Sequence, residues 1–197
     1  NKVSPPKLFE FNYEVGIDVF EIKDAAGTFY DVLNIVDYGT MFEQAAVVRV
    51  ADRNGLPTSA ACLHAFDHTW VRPFGWPRLV SADRGVHNRG IFGSTLGKNG
   101  VNIRFAGLES PEQIGRVERR NKVLKTLLSR VIKELHVVGR NTFDMAPTEC
   151  INVLNDDTRH GGFALVQWVL GRSKRQPGSV TDESECFDIG TLQGHVD

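Results

Sequence analysis

The hydrophobic period of this chain changes once, and that change restricts its fold more than any other feature. Up to residue 50 the apolar residues fall in strand-like runs rich in β-branched and aromatic side chains, at 15–22, 29–36 and 41–50. The links are short. Lys23-Asp24-Ala25-Ala26-Gly27-Thr28 and Asp37-Tyr38-Gly39-Thr40 have turn chemistry, so the spacing predicts three adjacent strands in an antiparallel meander. From Thr58 the period becomes helical: Ala61, Leu63, Ala65, Phe66 and Trp70 mark an amphipathic helix over 58–71, which Pro73, Gly75 and Pro77 end. A short strand at 78–82, a helix near 90–98 and a strand at 101–105 follow. Then come a long helix from Ser110 to about Val138 and another at 148–157. The order β-β-β-α-β-α-β-α-α predicts an α/β fold: a mixed five-stranded sheet, three antiparallel strands first, flanked by helices on both faces.

With 197 residues, 41% of them hydrophobic and 24% charged, the chain suits one domain with a substantial core. No run approaches the roughly 20 apolar residues of a membrane-spanning helix. No apolar segment follows Lys2 as a signal peptide requires, and a start at Asn1 reads as a piece of something longer. Cys62, Cys150 and Cys186 are scattered without CxxC spacing. They suit small buried residues in a reducing compartment better than a zinc knuckle or a disulfide framework. Formal charge is −1 but unevenly placed. Asp182, Glu183, Glu185, Asp188 and Asp197 lie in a stretch after Gln176 with no Lys or Arg, which leaves the rest of the chain net positive. Taken alone, that is weak evidence for a nucleic-acid partner. The expected organisation is an extended lead-in over 1–12, where Pro5-Pro6 opposes a helix, a core over 13–172, and a disordered acidic tail over 173–197.

Three carboxylates stand out. Asp18 lies between Ile17 and Val19 in a run apolar on both faces, the pattern of a central strand. Burying a carboxylate there is costly unless it is paired or bound to metal; the plainer alternative is a strand-end Asp capped by backbone or Arg. Asp83 ends the fourth strand, and ligands gather at the carboxyl ends of strands in α/β sheets, although Asp before a loop is also ordinary turn chemistry. Glu118 sits on the second turn of the long helix, whose start is marked by Ser110-Pro111-Glu112-Gln113. It flanks the apolar stripe Val117, Leu124, Leu128, Val131 and Leu135, with Lys122 and Lys125 after it at +4 and +7. Ion pairs on a solvated helix face are the plainer reading there. Three carboxylates on three elements also suit two hard cations about 3.5–4 Å apart that flank an in-line attack on phosphorus.

Three segments together, Gly16-Ile17-Asp18-Val19, then Pro77-Arg78-Leu79-Val80-Ser81-Ala82-Asp83-Arg84-Gly85, then Ser110-Pro111-Glu112-Gln113-Ile114-Gly115-Arg116-Val117-Glu118-Arg119-Arg120-Asn121, resemble the catalytic core of retroviral and retrotransposon integrases. The 34 residues between Asp83 and Glu118 match the family's spacing. Thr158-Arg159-His160-Gly161-Gly162-Phe163, followed by Val169-Leu170-Gly171-Arg172, resembles a late segment of copia-type polyproteins. The likeness covers roughly residues 10 to 172. It implies an RNase H-like fold and DNA integration, in which element 3′ ends are trimmed and then joined to target DNA. It further implies two Mg²⁺ or Mn²⁺ ions held by Asp18, Asp83 and Glu118, with Asp18 bridging. Asn121, Lys122 and Lys125 become DNA contacts by position. Element and target DNA and further copies of the chain are the implied partners, in a cytoplasmic particle and then the nucleus.

Ile114, Ala146-Pro147 and Ala164-Leu165 depart from the family pattern. Neither an N-terminal His/Cys zinc module nor a C-terminal basic domain is expected in these residues. Rival readings are a cut-and-paste transposase, an RNase H-type nuclease, and a decayed or co-opted integrase fold that binds DNA or a partner without chemistry. His64 and His68, four apart with Asp67 between them, have metal-like spacing without an evident third ligand and read better as a partly exposed helix face. Trp70, Phe74 and Trp76 read as packing residues, and Asp24, Asp31 and Asp37 as turn or strand residues away from the motif.

Overall fold

A computed structural model describes residues 10–50, 57–83, 85, 90–105 and 111–174, with the backbone alone for 50 and 111–116. Most of the lead-in, the tail from 175 onward, Ser110, Cys186 and the side chain of Ile114 lie outside the described residues. Strands β1 (Glu14–Lys23), β2 (Phe29–Asp37) and β3 (Glu43–Val50) form the expected meander. Helix α1 (Ser59–Phe66) passes into a π-helical turn, Asp67–Val71, and a last turn α2 (Arg72–Phe74). Strand β4 (Leu79–Ala82), helix α3 (Ile91–Lys98) and strand β5 (Asn102–Phe105) complete a five-stranded sheet of order β3-β2-β1-β4-β5. β1 and β2 are antiparallel, while β1 and β4 are parallel, as are β4 and β5. The mixed sheet expected from the sequence is therefore present, and β1 is its central strand.

Helices cover both faces. Alternate β1 residues Val15 and Ile17 join Leu33, Ile35, Phe66 and Trp70 in one core under α1 and α3. The other set, led by Phe20 with Val32, packs under α4 (Pro111–Glu134) and α5 (Arg140–Asp157), where Tyr30 and Phe143 stack at 3.9 Å. Cys62 and Cys150 are both buried. Trp70 is fully buried and donates its indole N–H to Asn12 Oδ1 at 2.8 Å, while Phe74 and Trp76 pack against the same core. Phe11, placed by the sequence in an extended lead-in, docks edge-on against Phe42 and Phe74.

The structure corrects three expectations and adds one unit. Pro73 does not end the first helix, which runs through the π turn and stops at Gly75, where φ is +81°. The extra residue in that turn carries both Trp70 and Val71 inward. The long helix stops at Glu134 because His136 adopts φ +49°, which leaves Leu135 73% exposed; Ile132 takes its place in the core. Helix α5 starts at Arg140 rather than near 148, and Pro147 lies buried inside it. Finally, residues 159–170 form a small hairpin, β6 (Arg159–His160) and β7 (Phe163–Ala164), and a short helix α6 (Leu165–Leu170). The hairpin turns on Gly161 and Gly162, both at positive φ.

Candidate active site at the end of the central strands

Asp18 gains its setting from strand register. In the parallel ladder Ile17 is opposite Ala82, so the next step sets Asp18 beside Asp83 at the carboxyl end of β4. The long helix α4 reaches the same place because β1 offers no side chain at Gly16. A Cβ on that residue would overlap Val117 Cγ2 and come within 2.6 Å of the Tyr38 ring. Val117 packs into the gap with Val36 and Tyr38, and Glu118, the next residue, stands exposed at the edge of the contact.

Asp18 feels the other two carboxylates. Burial pushes the Asp18 carboxyl up to about 6; Asp83 and, less strongly, Glu118 add to the rise, while the Val19 N–H and the Lys125 ammonium oppose it. Asp83 is exposed and accepts the Gly85 N–H at 3.1 Å. Among the described residues Glu118 makes no ion pair with Lys122 or Lys125. Nor do any three His, Cys, Asp or Glu side chains among the described residues stand close enough to close a metal site as they are. The donor set is nonetheless all-oxygen and anionic, which suits hard divalent cations.

The residues expected as DNA contacts divide. Lys122 is exposed, and Lys125 lies with its ammonium 5.0 Å from the centre of the Phe20 ring, on the Asp18 side of the helix. Asn121 is instead buried, and both ends of its amide are engaged inside the protein: Nδ2 donates to Asp18 Oδ2 at 2.5 Å, and Oδ1 accepts from Asn34 Nδ2 at 2.6 Å. Next to this pair lies a buried ion pair, Arg120 to Glu43 at 2.5 Å, with Glu43 fully buried. Burial pushes the Glu43 carboxyl up, and Arg120 and then Asn34 pull it back. Sequence reasoning missed Asn34, Glu43 and Arg120. The available signal was a polar residue inside the apolar run Val32-Leu33-Asn34-Ile35-Val36.

The other acidic residues have structural roles. Asp24 is buried; three backbone N–H groups, from Gly139, Thr28 and Ala26, more than offset the burial and hold its carboxyl below the usual range. Asp37 closes its turn on the N–H and hydroxyl of Thr40, and Asp31 pairs with Arg49 at 2.8 Å. His64 and His68 lie with ring centres 4.3 Å apart and tilted by 31° on an exposed face.

Together these features define an RNase H-like α/β domain in which Asp18, midway along β1, lies where the parallel pairing with β4 ends and Asp83 follows. No family model matches the chain, and no curated protein sequence does. Solved structures do match. The catalytic core domain of HTLV-2 integrase, in complex with magnesium and in a dimeric form, aligns with TM-score 0.64 and 19% identity over 80% of this chain and 95% of that one. The catalytic core of BIV integrase aligns at TM-score 0.62 and 14% identity, covering 81% and 95%. A chain of the simian T-cell lymphotropic virus intasome, in complex with a PP2A regulatory subunit, aligns at TM-score 0.68 and 20% identity, covering 89% of this chain and 59% of that one. At such identities the likeness establishes the fold: this chain is built as retroviral integrase catalytic cores are.

Proposed function

We propose that this chain is the catalytic core of a retroelement integrase, a polynucleotidyl transferase that trims 3′ ends of element DNA and joins them to target DNA. One observation supports the reading: the parallel pairing of β1 with β4 ends at Ile17 and Ala82, so Asp18 and Asp83 are the next residues on the two neighbouring strands, and both Asp83 and Glu118 push the Asp18 carboxyl up. A sequence selected for stability alone has no reason to keep a half-buried carboxylate at Asp18 within reach of two further acidic groups.

Asp18, Asp83 and Glu118 would hold the Mg²⁺ or Mn²⁺ ions, two in number on this reading. Bound there, such ions activate the attacking oxygen and stabilise the leaving one in an in-line displacement at phosphorus. Asn121 holds one oxygen of Asp18 and so limits how the carboxylate turns. Lys122 and Lys125, one and two turns past Glu118, serve as phosphate contacts that keep the DNA end against the site. The magnesium in the HTLV-2 structures supports the metal assignment, and the dimeric, trimeric and intasome forms of the relatives support a multimer on DNA.

The test is nicking and joining of a labelled branched DNA with Mn²⁺ or Mg²⁺, with Glu118→Gln in parallel. Metal-dependent joining that disappears in Glu118→Gln is the expected result. A wild-type protein that neither joins DNA nor takes up Mn²⁺ in calorimetry would sink the transferase reading in favour of an integrase fold without chemistry.

A further inference from the structure

The α4 side of the core is interrupted by a polar layer. Along β1 this face presents Gly16, Asp18 and Phe20; along β2, in register with them, Val36, Asn34 and Val32; along α4, Val117, Asn121 and Leu124. In each element an apolar or bare position precedes and an apolar residue follows a polar one. Asn34 and Asn121 lie at 0% and 6% exposure, and the layer divides the apolar residues into two separate clusters. Such an arrangement is costly. Asn34 Oδ1 finds no partner among the described residues, and Glu43 Oε2 and Arg120 Nε beside it find none either. A leucine at position 34 would remove the unpaired Oδ1 but would also strip Asn121 Oδ1 of its donor.

The direction of the hydrogen bonds shows what the layer holds. An ionised Asp18 only accepts, so Asn121 must turn its NH₂ to it and its carbonyl oxygen away. That oxygen needs a donor, and Asn34 Nδ2 supplies it at 2.6 Å. Asn34 sits on the rigid middle of the sheet, directly opposite Asp18 across the β1–β2 ladder. The amide of Asn121 is thus clamped at both ends, and one oxygen of Asp18 is fixed by it.

We propose that Asn34 is a positioning residue for Asp18, acting through the Asn121 amide to aim the carboxylate toward Asp83 and Glu118. This inference rests on the metal-binding reading above, but one of its tests does not. Groups of this kind around metal ligands commonly set affinity or rate by about 10–100-fold. Asn34→Leu is therefore expected to weaken Mn²⁺ binding in calorimetry by about that factor, with some loss of melting temperature because Asn121 Oδ1 is left without its donor. In the branched-DNA assay kcat falls and KM for DNA does not. Asn34→Asp, which has the same shape but no N–H to donate, should fail in the same way.

In the metal-free protein the ¹⁵N side-chain amide signals of Asn121 should move in Asn34→Leu, because the amide is released. Wild-type Mn²⁺ affinity and kcat in Asn34→Leu would overturn the proposal. Unmoved Asn121 amide signals would also overturn it, whether or not the wild-type protein binds metal. A wild-type protein without Mn²⁺ affinity overturns the metal reading instead, and the amide signals then judge the Asn34 clamp alone.

Discussion

Burial first, and then Asp83, push the Asp18 carboxyl up to about 6. The direction of the pH effect follows. Between about pH 4 and 6 the folded carboxyl keeps a proton that the unfolded one gives up, so ionising it costs the fold stability as pH rises through about 6. By pH 7.5 the full cost, on the order of 1–3 kcal/mol, is present. Asp18→Asn removes it, so its melting temperature should exceed that of wild type by several degrees at pH 7.5 and by nothing at pH 4. An equal gain at both pH values would show that charge is not the cause. Cation binding runs the other way, since a carboxylate must be ionised to ligate: Mn²⁺ affinity should climb from pH 5 to 7 and level off above. Asp18, Asp83 and Glu118 could be singled out as candidates in the sequence because their spacing and flanking residues repeat a pattern. The setting of Asn121 could not, because a position matched to a family says which residue stands there but not where its amide turns.

At the scale of elements, the contact between α4 and β1 sets the geometry of the site. It depends on the absent side chain at Gly16, against which the fully packed Val117 and the buried Tyr38 leave no room. Gly16→Ala should cost about 1–3 kcal/mol through overpacking. It should also weaken Mn²⁺ binding, because α4 must lift and take Glu118 and Asn121 with it. A variant that melts earlier but binds Mn²⁺ as wild type does would show that the helix can settle elsewhere. Strands β1–β3 were readable because their apolar runs and turn residues agree. The start of α5 was not, because Pro147 has the look of a helix beginning and becomes a mid-helix residue only through burial among Phe143, Ala146 and Cys150. The hairpin at 159–164 left a clear trace in Gly161-Gly162, which the likeness to a polyprotein motif drew attention away from. The π turn left none, since only packing asks Trp70 and Val71 to face the same side.

Across the whole molecule, charge is a matter of placement. The chain is nearly neutral, yet Lys122 and Lys125 follow Glu118 on one helix. If they contact phosphates, the double variant Lys122→Ala/Lys125→Ala should bind DNA more weakly whatever its sequence. The slope of log affinity against log salt should then fall by roughly one to two. An unchanged slope would move the DNA path elsewhere. The mixed sheet was predictable from the switch between strand and helix periods. Which strands would neighbour one another was not, and the polar layer through the core depends entirely on that neighbourhood.

The order of the sheet has a further consequence. The meander closes within residues 14–50 through turns of a few residues, and it contains Asp18 and Asn34 but neither Asp83 nor Glu118. Those arrive only when β4 crosses back to lie beside β1 and α4 settles over Gly16, pairings far apart along the chain and slow to form. A half-folded chain can thus hold three of the five strands of the sheet before the proposed cation site exists. Capture of a divalent ion would mark the end of folding, and the ion would then bind only the finished protein and hold it there.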